Sequence, residues 1–313
     1  MFSETDRFRQ VKRLPKKGTI AISALASPVE EKDLNRGVSY LEKFGYRVEV
    51  GKSCYSATDY LAGSDALRAN EFMSFIEDSR IDAIISARGG FGSMRMLKLL
   101  DFDLISQQEK LFIGFSDITA LQWAIYAQTG LPAISAGMPA TDMARDEMNA
   151  DFEAAFWSLL EDGQIDIAIN HQQEQDQIIQ GFGLPGTVSV AAKLLGSEYF
   201  PDTTGAILLL EDVNEMKHKV EGYLQQFVLS NVFDKAAAVA LGAFTEPENE
   251  EYPVVPDIDT LFKRVFRGVR IPVFQGLDYG HIKNKIALPL GTPLSLSLGA
   301  ETRLKSTANI YKD

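Results

Sequence analysis

The chain has little cysteine, little histidine and a deficit of positive charge. Cys54 is the single cysteine in 313 residues, so an intrachain disulfide is impossible and a cysteine-rich metal site is excluded. Three histidines are present, so any chemistry that needs an imidazole falls to His171, His218 or His281. Lys and Arg number 31 against 43 Asp and Glu, giving a net charge of −12. So acidic a chain repels phosphate backbones and anionic lipid, and neither nucleic acid nor a membrane surface is expected as a partner. The one basic cluster, VKRLPKKG (11–18), reads as a solvated lead-in segment. No window approaches 18 continuous apolar residues, which argues against a membrane-spanning helix. The opening MFSETDRFRQ carries acidic residues and no apolar h-region, so a secretory signal is not expected and the cytoplasm is the expected location.

What is present is ordinary for a globular enzyme: 45% hydrophobic and 24% charged residues. The length favours two domains. Strands and helices alternate in the first half. GTIAISALA (18–26), YRVEVG (46–51), IDAIISA (81–87), LFIGF (111–115) and LPAISAG (131–137) read as strands. Between them, SPVEEKDLNRGVSYLEKFG (27–45) reads as a helix with Ser27 as cap, Pro28 at its first position and Gly45 at its end. ALRANEFMSFIED (66–78), MRMLKLLD (94–101) and about 117–129 also read as helices. This alternation predicts an α/β fold whose N-terminal domain has a parallel sheet covered on both faces. The polar stretch INHQQEQDQ (169–177) suggests a linker, placed at 166–180 between a first domain, 1–165, and a second, 181–313. The second domain shows short apolar stretches such as AILLLED, AAAVALGAF and TPLSLSLG, with helices near 215–230 and 257–267. It is expected to be a C-terminal β-rich α/β domain.

Ser116 stands where the strand LFIGF meets a helix. A serine in that place is most often an N-cap. The same place is also the carboxyl edge of a sheet, where open α/β folds bind ligands. The strand-turn-helix motif G-x-S-x-G is half matched, by Gly114 and Ser116, with Ile118 replacing the last glycine. A nucleophilic serine needs a base. His171 lies in a polar stretch and His218 sits between two lysines on a helix, so both read as solvated. His281 follows a strand and Gly280, which lets the backbone bend. A carboxylate would complete the set. Glu211 ends the apolar run AILLLE, Asp212 should point to the other side of that strand, and Glu215 fits the first turn of the next helix. In RGGFGS (88–93) the glycines lack the dinucleotide spacing and no P-loop is present. That turn can offer backbone N–H groups to an oxyanion or an anion, or be simply a tight turn.

YLAGSDALRANEF, SARGGFGSMRML, LFIGFSDITAL, AILLLEDVNE and DYGHIKNK, in this order from about 18 to 300, resemble the landmarks of the LD-carboxypeptidases. These serine peptidases also include the microcin C immunity peptidases. The resemblance implies an N-terminal Rossmann-like domain joined to a C-terminal β-rich domain, and a catalytic Ser116, Glu211 and His281, with the backbone N–H groups of Gly90 and Asp117 as oxyanion donors. It implies release of terminal D-alanine from murein tetrapeptides in peptidoglycan recycling, no metal and no organic cofactor, and a homodimer. Two departures stand out. The family's Gly-Gly-Asn turn is replaced by LPGTVSV, and its Tyr-Arg pair after the glutamate by Lys217 and His218. Arg88 and Arg95 are candidates by position for the substrate carboxylate. The alternatives are an immunity-type amidase acting on a peptidyl-nucleotide antibiotic, and a non-catalytic anion- or peptide-binding module.

Overall fold

A computed structural model describes residues 8–145, 150–245 and 257–312. The opening residues 1–7, on which the expectation about a signal segment rests, lie outside the described residues. Short 3-10 turns aside, the first half runs β1 (Thr19–Ser23), α1 (Glu31–Lys43), β2 (Arg47–Val50), α2 (Asp65–Glu77), β3 (Ala83–Ser86), α3 (Phe102–Gln108), β4 (Leu111–Gly114), α4 (Thr119–Thr129) and β5 (Ala133–Ser135). It continues with α5 (Ala150–Asp162), β6 (Asp166–Ile169), β7 (Gln177–Thr187), α6 (Val188–Ala192), β8 (Ala206–Val213), α7 (Lys217–Leu229), α8 (Val232–Lys235) and β9 (Ala238–Thr245). The last elements are α9 (Ile258–Val265), β10 (Val273–Gln275), β11 (Leu288–Leu290), β12 (Pro293–Leu298) and β13 (Thr302–Ser306).

Two sheets form, and the α/β class holds. The first has the order β2-β1-β3-β4-β5-β11. Its five N-terminal strands are parallel. β3, β4 and β5 are buried at every position, which is why they read as continuous apolar runs rather than alternating ones. β2, at the edge, is only partly covered. The second sheet has the order β10-β9-β8-β7-β12-β13-β6. β7 to β10 are parallel, and β12, β13 and β6 are added antiparallel. The stretch 166–180 holds β6 and the first residues of β7, both within this sheet.

One strand crosses between the halves. β11 pairs antiparallel with β5, Leu288 opposite Ser135 and Leu290 opposite Ala133. A proline is tolerated at Pro289 because β11 is the edge of the sheet.

Several local expectations need correction. α1 starts at Glu31 with Glu30 before it, not at Pro28. Ser27 is taken instead by the glycine-rich turn: its hydroxyl accepts the Phe91 N–H and its own N–H donates to Gly89 O. Residues 93–99 form a 3-10 helix, Ser93–Leu99, rather than an α-helix. Glu215 precedes α7 instead of lying in its first turn. The basic segment 11–18 is not a loose lead-in, because Val11 and Leu14 are core residues. Val11 N–H donates to Ile310 O, and Lys312 N–H donates to Val11 O. Among the described residues no helix is long and apolar enough to cross a membrane.

Candidate active site

The carboxyl ends of β3 and β4 in the first sheet meet the carboxyl end of β8 in the second. Ser116 follows β4 after Phe115, and its φ is +65°. Left-handed backbone is costly for a residue with a Cβ, by about 1–3 kcal/mol, and is retained where the surroundings impose it. Ser116 is the first residue of a short 3-10 turn whose cap position is held by Phe115, and Ile118 precedes α4, so the helix-cap reading of Ser116 fails. The half-matched motif has a steric reason. A Cβ on Gly114 would lie 2.3 Å from Ile118 Cγ2, so the first glycine is obligatory because Ile118 folds back over it.

Ser116 Oγ lies 2.9 Å from His281 Nε2. His281 Nδ1 lies 2.8 Å from Glu211 Oε2. Glu211 is fully buried and its Oε1 also accepts the Thr187 hydroxyl. A carboxylate holding Nδ1–H leaves Nε2 free to accept the serine proton. A hydroxyl, an imidazole and a carboxylate in this order can pass a proton from the serine as it attacks a carbonyl.

The backbone around Glu211 is shaped for this contact. Leu210 pairs with Leu241 but Asp212 pairs with Phe244, so β9 bulges at Gly242–Ala243 opposite Glu211. Such irregularities re-aim strands beside functional sites. The bulge receives the chain before His281: Ala243 N–H donates to Tyr279 O. A Cβ on Gly242 would stand 2.2 Å from that oxygen. Gly280 bends as expected, with φ +137°. Asp212 turns away to accept the Ser189 N–H and hydroxyl at the start of α6. Burial, and then the charge of Glu211, push its carboxyl up to about 6, against the hydrogen bonds it accepts.

The glycine-rich turn is knitted to the Ser116 turn. Asp117 is buried, and its carboxylate accepts the Ser93 N–H at 2.8 Å while the Ser93 hydroxyl donates to its backbone carbonyl at 2.6 Å. Burial pushes the Asp117 carboxyl up, and the Ser93 and Gly92 N–H groups oppose it. Gly89 touches Ser116 so closely that a Cβ would stand 2.8 Å from Ser116 Cβ. Gly90 and Gly92 have φ of +119° and +122°, conformations that favour glycine.

Ser116 and His281 open on a cavity of about 250 Å³ that Arg88, Gly89, Gly90, Asp142, Arg145 and Lys285 also line. Ser116, Glu211, His281, Gly90 and Arg88 are therefore brought together. Arg95 is not: its guanidinium is engaged with Asp65 through Nε and Nη2. His171 is half-buried against the Phe274 ring, 4.9 Å away in a separate cavity, rather than solvated. His218 is exposed on α7, as read. Sequence reasoning missed Thr187 and the buried pair Lys285–Asp142, 2.9 Å apart. Lys285 Nζ also lies 4.2 Å from the centre of the Phe115 ring. Its position four residues after His281 was the one available clue.

The family descriptions "LD-carboxypeptidase N-terminal domain" and "LD-carboxypeptidase C-terminal domain" match residues 20–136 and 180–296. The chain is 28% identical to the murein tetrapeptide carboxypeptidase of Pseudomonas aeruginosa, over 88% of this chain and 92% of that protein. It is 27% identical to the microcin C7 self-immunity protein of Escherichia coli, over 89% of each. Its fold superposes on the crystal structure of muramoyltetrapeptide carboxypeptidase from Oxalobacter formigenes with a TM-score of 0.86 and 28% identity, covering 94% of this chain and all of that one. With both family domains matched in order along most of its length, the chain belongs to the LD-carboxypeptidases, a family of serine-type hydrolases.

Proposed function

We propose that the protein releases terminal D-alanine from murein tetrapeptides, cutting the amide between an L-configured centre and D-Ala. The observation that carries this reading is the unbroken chain Ser116–His281–Glu211 opening on a small cavity. Ser116 Oγ attacks the scissile carbonyl while His281 Nε2 takes its proton. Glu211 holds the imidazole and stabilises the imidazolium. The N–H groups of Gly90 and Asp117 receive the oxyanion, each worth about 3–4 kcal/mol in the transition state. His281 then protonates the departing amine, D-Ala leaves, and water hydrolyses the acyl-serine by the reverse proton path.

In this reading residues 1–165 supply the nucleophile and oxyanion donors, 181–313 supply the base and carboxylate, and 166–180 join them. A cytoplasmic place of work belongs to the same reading as an expectation, and a homodimeric state is what the family resemblance implies. The similarity to a microcin self-immunity protein supports a second reading: the same Ser116 chemistry applied to a peptidyl-nucleotide antibiotic. Mass spectrometry of products from defined tri-, tetra- and pentapeptides, beside an aminoacyl-sulfamoyl adenylate, separates the two. Loss of D-Ala from the tetrapeptide is the expected result. Folded Ser116→Ala and His281→Ala variants should show no turnover, and a near-normal rate in either would overturn the mechanism.

A further inference from the structure

The cavity beside Ser116 is cationic in a chain whose net charge is −12. Arg88, Arg145 and Lys285 line it against one carboxylate, Asp142. Asp142 is already committed. Its Oδ1 faces Lys285 at 2.9 Å and Arg145 at 3.5 Å, and its Oδ2 accepts the Met138 N–H and the Thr141 hydroxyl. Burial raises the Asp142 carboxyl, but the charge and hydrogen bond of Lys285, the Met138 N–H and the Arg145 charge together hold the group below its usual value. Lys285 is thus neutralised where it stands.

Arg88 is different. Among the described residues it has no carboxylate partner, and its guanidinium makes a long donation from Nη1 to Pro28 O, at 3.3 Å. Its Nε is buried and has no acceptor at all. An unmet buried guanidinium N–H is costly and calls for an anion. Arg88 directly precedes Gly89, which packs on Ser116.

We propose that Arg88, assisted by Arg145 at the rim, is the subsite for the carboxylate of the D-amino acid that leaves. The proposal rests on the carboxypeptidase reading above. In such a substrate one Cα atom separates the scissile nitrogen from the terminal carboxylate, so the anchor must sit beside the nucleophile. Arg88 does, and Arg95, held by Asp65, does not. A planar guanidinium meets a carboxylate through two parallel hydrogen bonds, which fixes orientation as well as charge.

The test compares a murein tetrapeptide ending in D-Ala with the same peptide ending in D-alaninamide. Wild type should prefer the free acid by about 100-fold in kcat/KM, as one well-placed charged pair supplies. Arg88→Gln should shrink that preference by about 10- to 100-fold, mainly through KM. Arg145→Gln, an exposed side chain with a looser pair, should shrink it by about 3-fold. Should Arg88→Gln fail to fold, Arg88→Lys, which keeps the charge but not the fork, should give an intermediate preference. A folded Arg88 variant with the wild-type acid preference, or one that loses acid and amide hydrolysis in equal proportion, would overturn the subsite alone. A wild type that cleaves neither peptide would overturn the carboxypeptidase reading and the subsite with it.

Discussion

Replacing Gly89 with alanine should separate activity from stability. The new Cβ would stand 2.8 Å from Ser116 Cβ, 3.0 Å from Ser116 Oγ and 3.3 Å from Phe115 O. Carbon atoms in contact ordinarily sit about 3.5–4.0 Å apart, so Ser116 or the turn must yield by about 0.7 Å or more. Gly89 is not among the positive-φ glycines, so alanine meets no backbone barrier there. It should gain about 0.4–1 kcal/mol from the stiffer unfolded chain. Crowding should cost about 1–3 kcal/mol. The net loss, from near zero to about 2.5 kcal/mol, is small enough for an ordinary domain to stay folded. The reaction is less tolerant, since a misplacement of about 1 Å costs on the order of 100-fold. The Gly89→Ala enzyme should therefore show kcat/KM on a murein tetrapeptide lower by about 10- to 100-fold, with a thermal transition only a few degrees below wild type. A folded variant within twofold of wild type would refute the reasoning, because it would show that the turn absorbs the methyl group without moving Ser116.

Three further outcomes are expected. Thr187→Val removes the hydroxyl that Glu211 Oε1 accepts in a buried place; it should cost about 1.5–3 kcal/mol in urea unfolding and lower kcat, with Thr187→Ser restoring both. For Asp212, whose folded carboxyl is raised to about 6 from 3.8, the favourable contribution is complete below the unfolded value and is lost as pH rises through the folded one; wild type should lose about 2 kcal/mol more than Asp212→Asn between pH 4.5 and 7, and parallel pH curves would count against it. Cys54 is 3% exposed and its thiol is pushed up to about 12 by burial and by Glu71; a colorimetric thiol reagent should detect it only in denaturant, and rapid labelling of the native protein would contradict that environment.

The buried strands of the first sheet were legible because a parallel sheet covered on both faces demands continuous apolar runs, and TIAIS, AIIS and LFIG are such runs. His281 stood out by chemistry, since one of three histidines lay after a glycine bend, whereas its joining to Ser116 and Glu211 rested on the family resemblance. The φ of Ser116 was not legible, because an N-cap and a strained turn share the same residue preferences. The start of α1 was misplaced for a related reason. Ser27 satisfies the local rule for a cap, but a tertiary partner, Phe91 N–H, claims its hydroxyl. β11 escaped detection because Leu-Pro-Leu is too short for any periodicity. Arg88 and Arg95 could not be told apart in sequence, because what separates them is Asp65, a residue far along the chain that holds one and not the other.

His281 comes from the other half of the chain, yet it must stay within a hydrogen bond of Ser116. The segment around it is fastened on both sides. Before it, Tyr279 is fully buried, with its hydroxyl 2.7 Å from Ser135 at the end of β5 and its carbonyl accepting Ala243 N–H from the bulge in β9. After it, Lys285 pairs with Asp142, and then Leu288–Leu290 enters the first sheet beside β5. Phe115 links these fastenings, packing edge-on to Tyr279, against the His281 ring and under Lys285 Nζ. The imidazole is thus referenced both to the sheet that carries Ser116, through the Tyr279 hydroxyl on Ser135, and to the sheet that carries Glu211, through the Tyr279 carbonyl on Ala243. Glu211 is itself doubly held, by Thr187 as well as by the histidine. It follows that cutting one fastening far from the reacting atoms, as Tyr279→Phe does at Ser135, should lower kcat more than it raises KM. Equal effects on both would place the fastening on substrate binding instead.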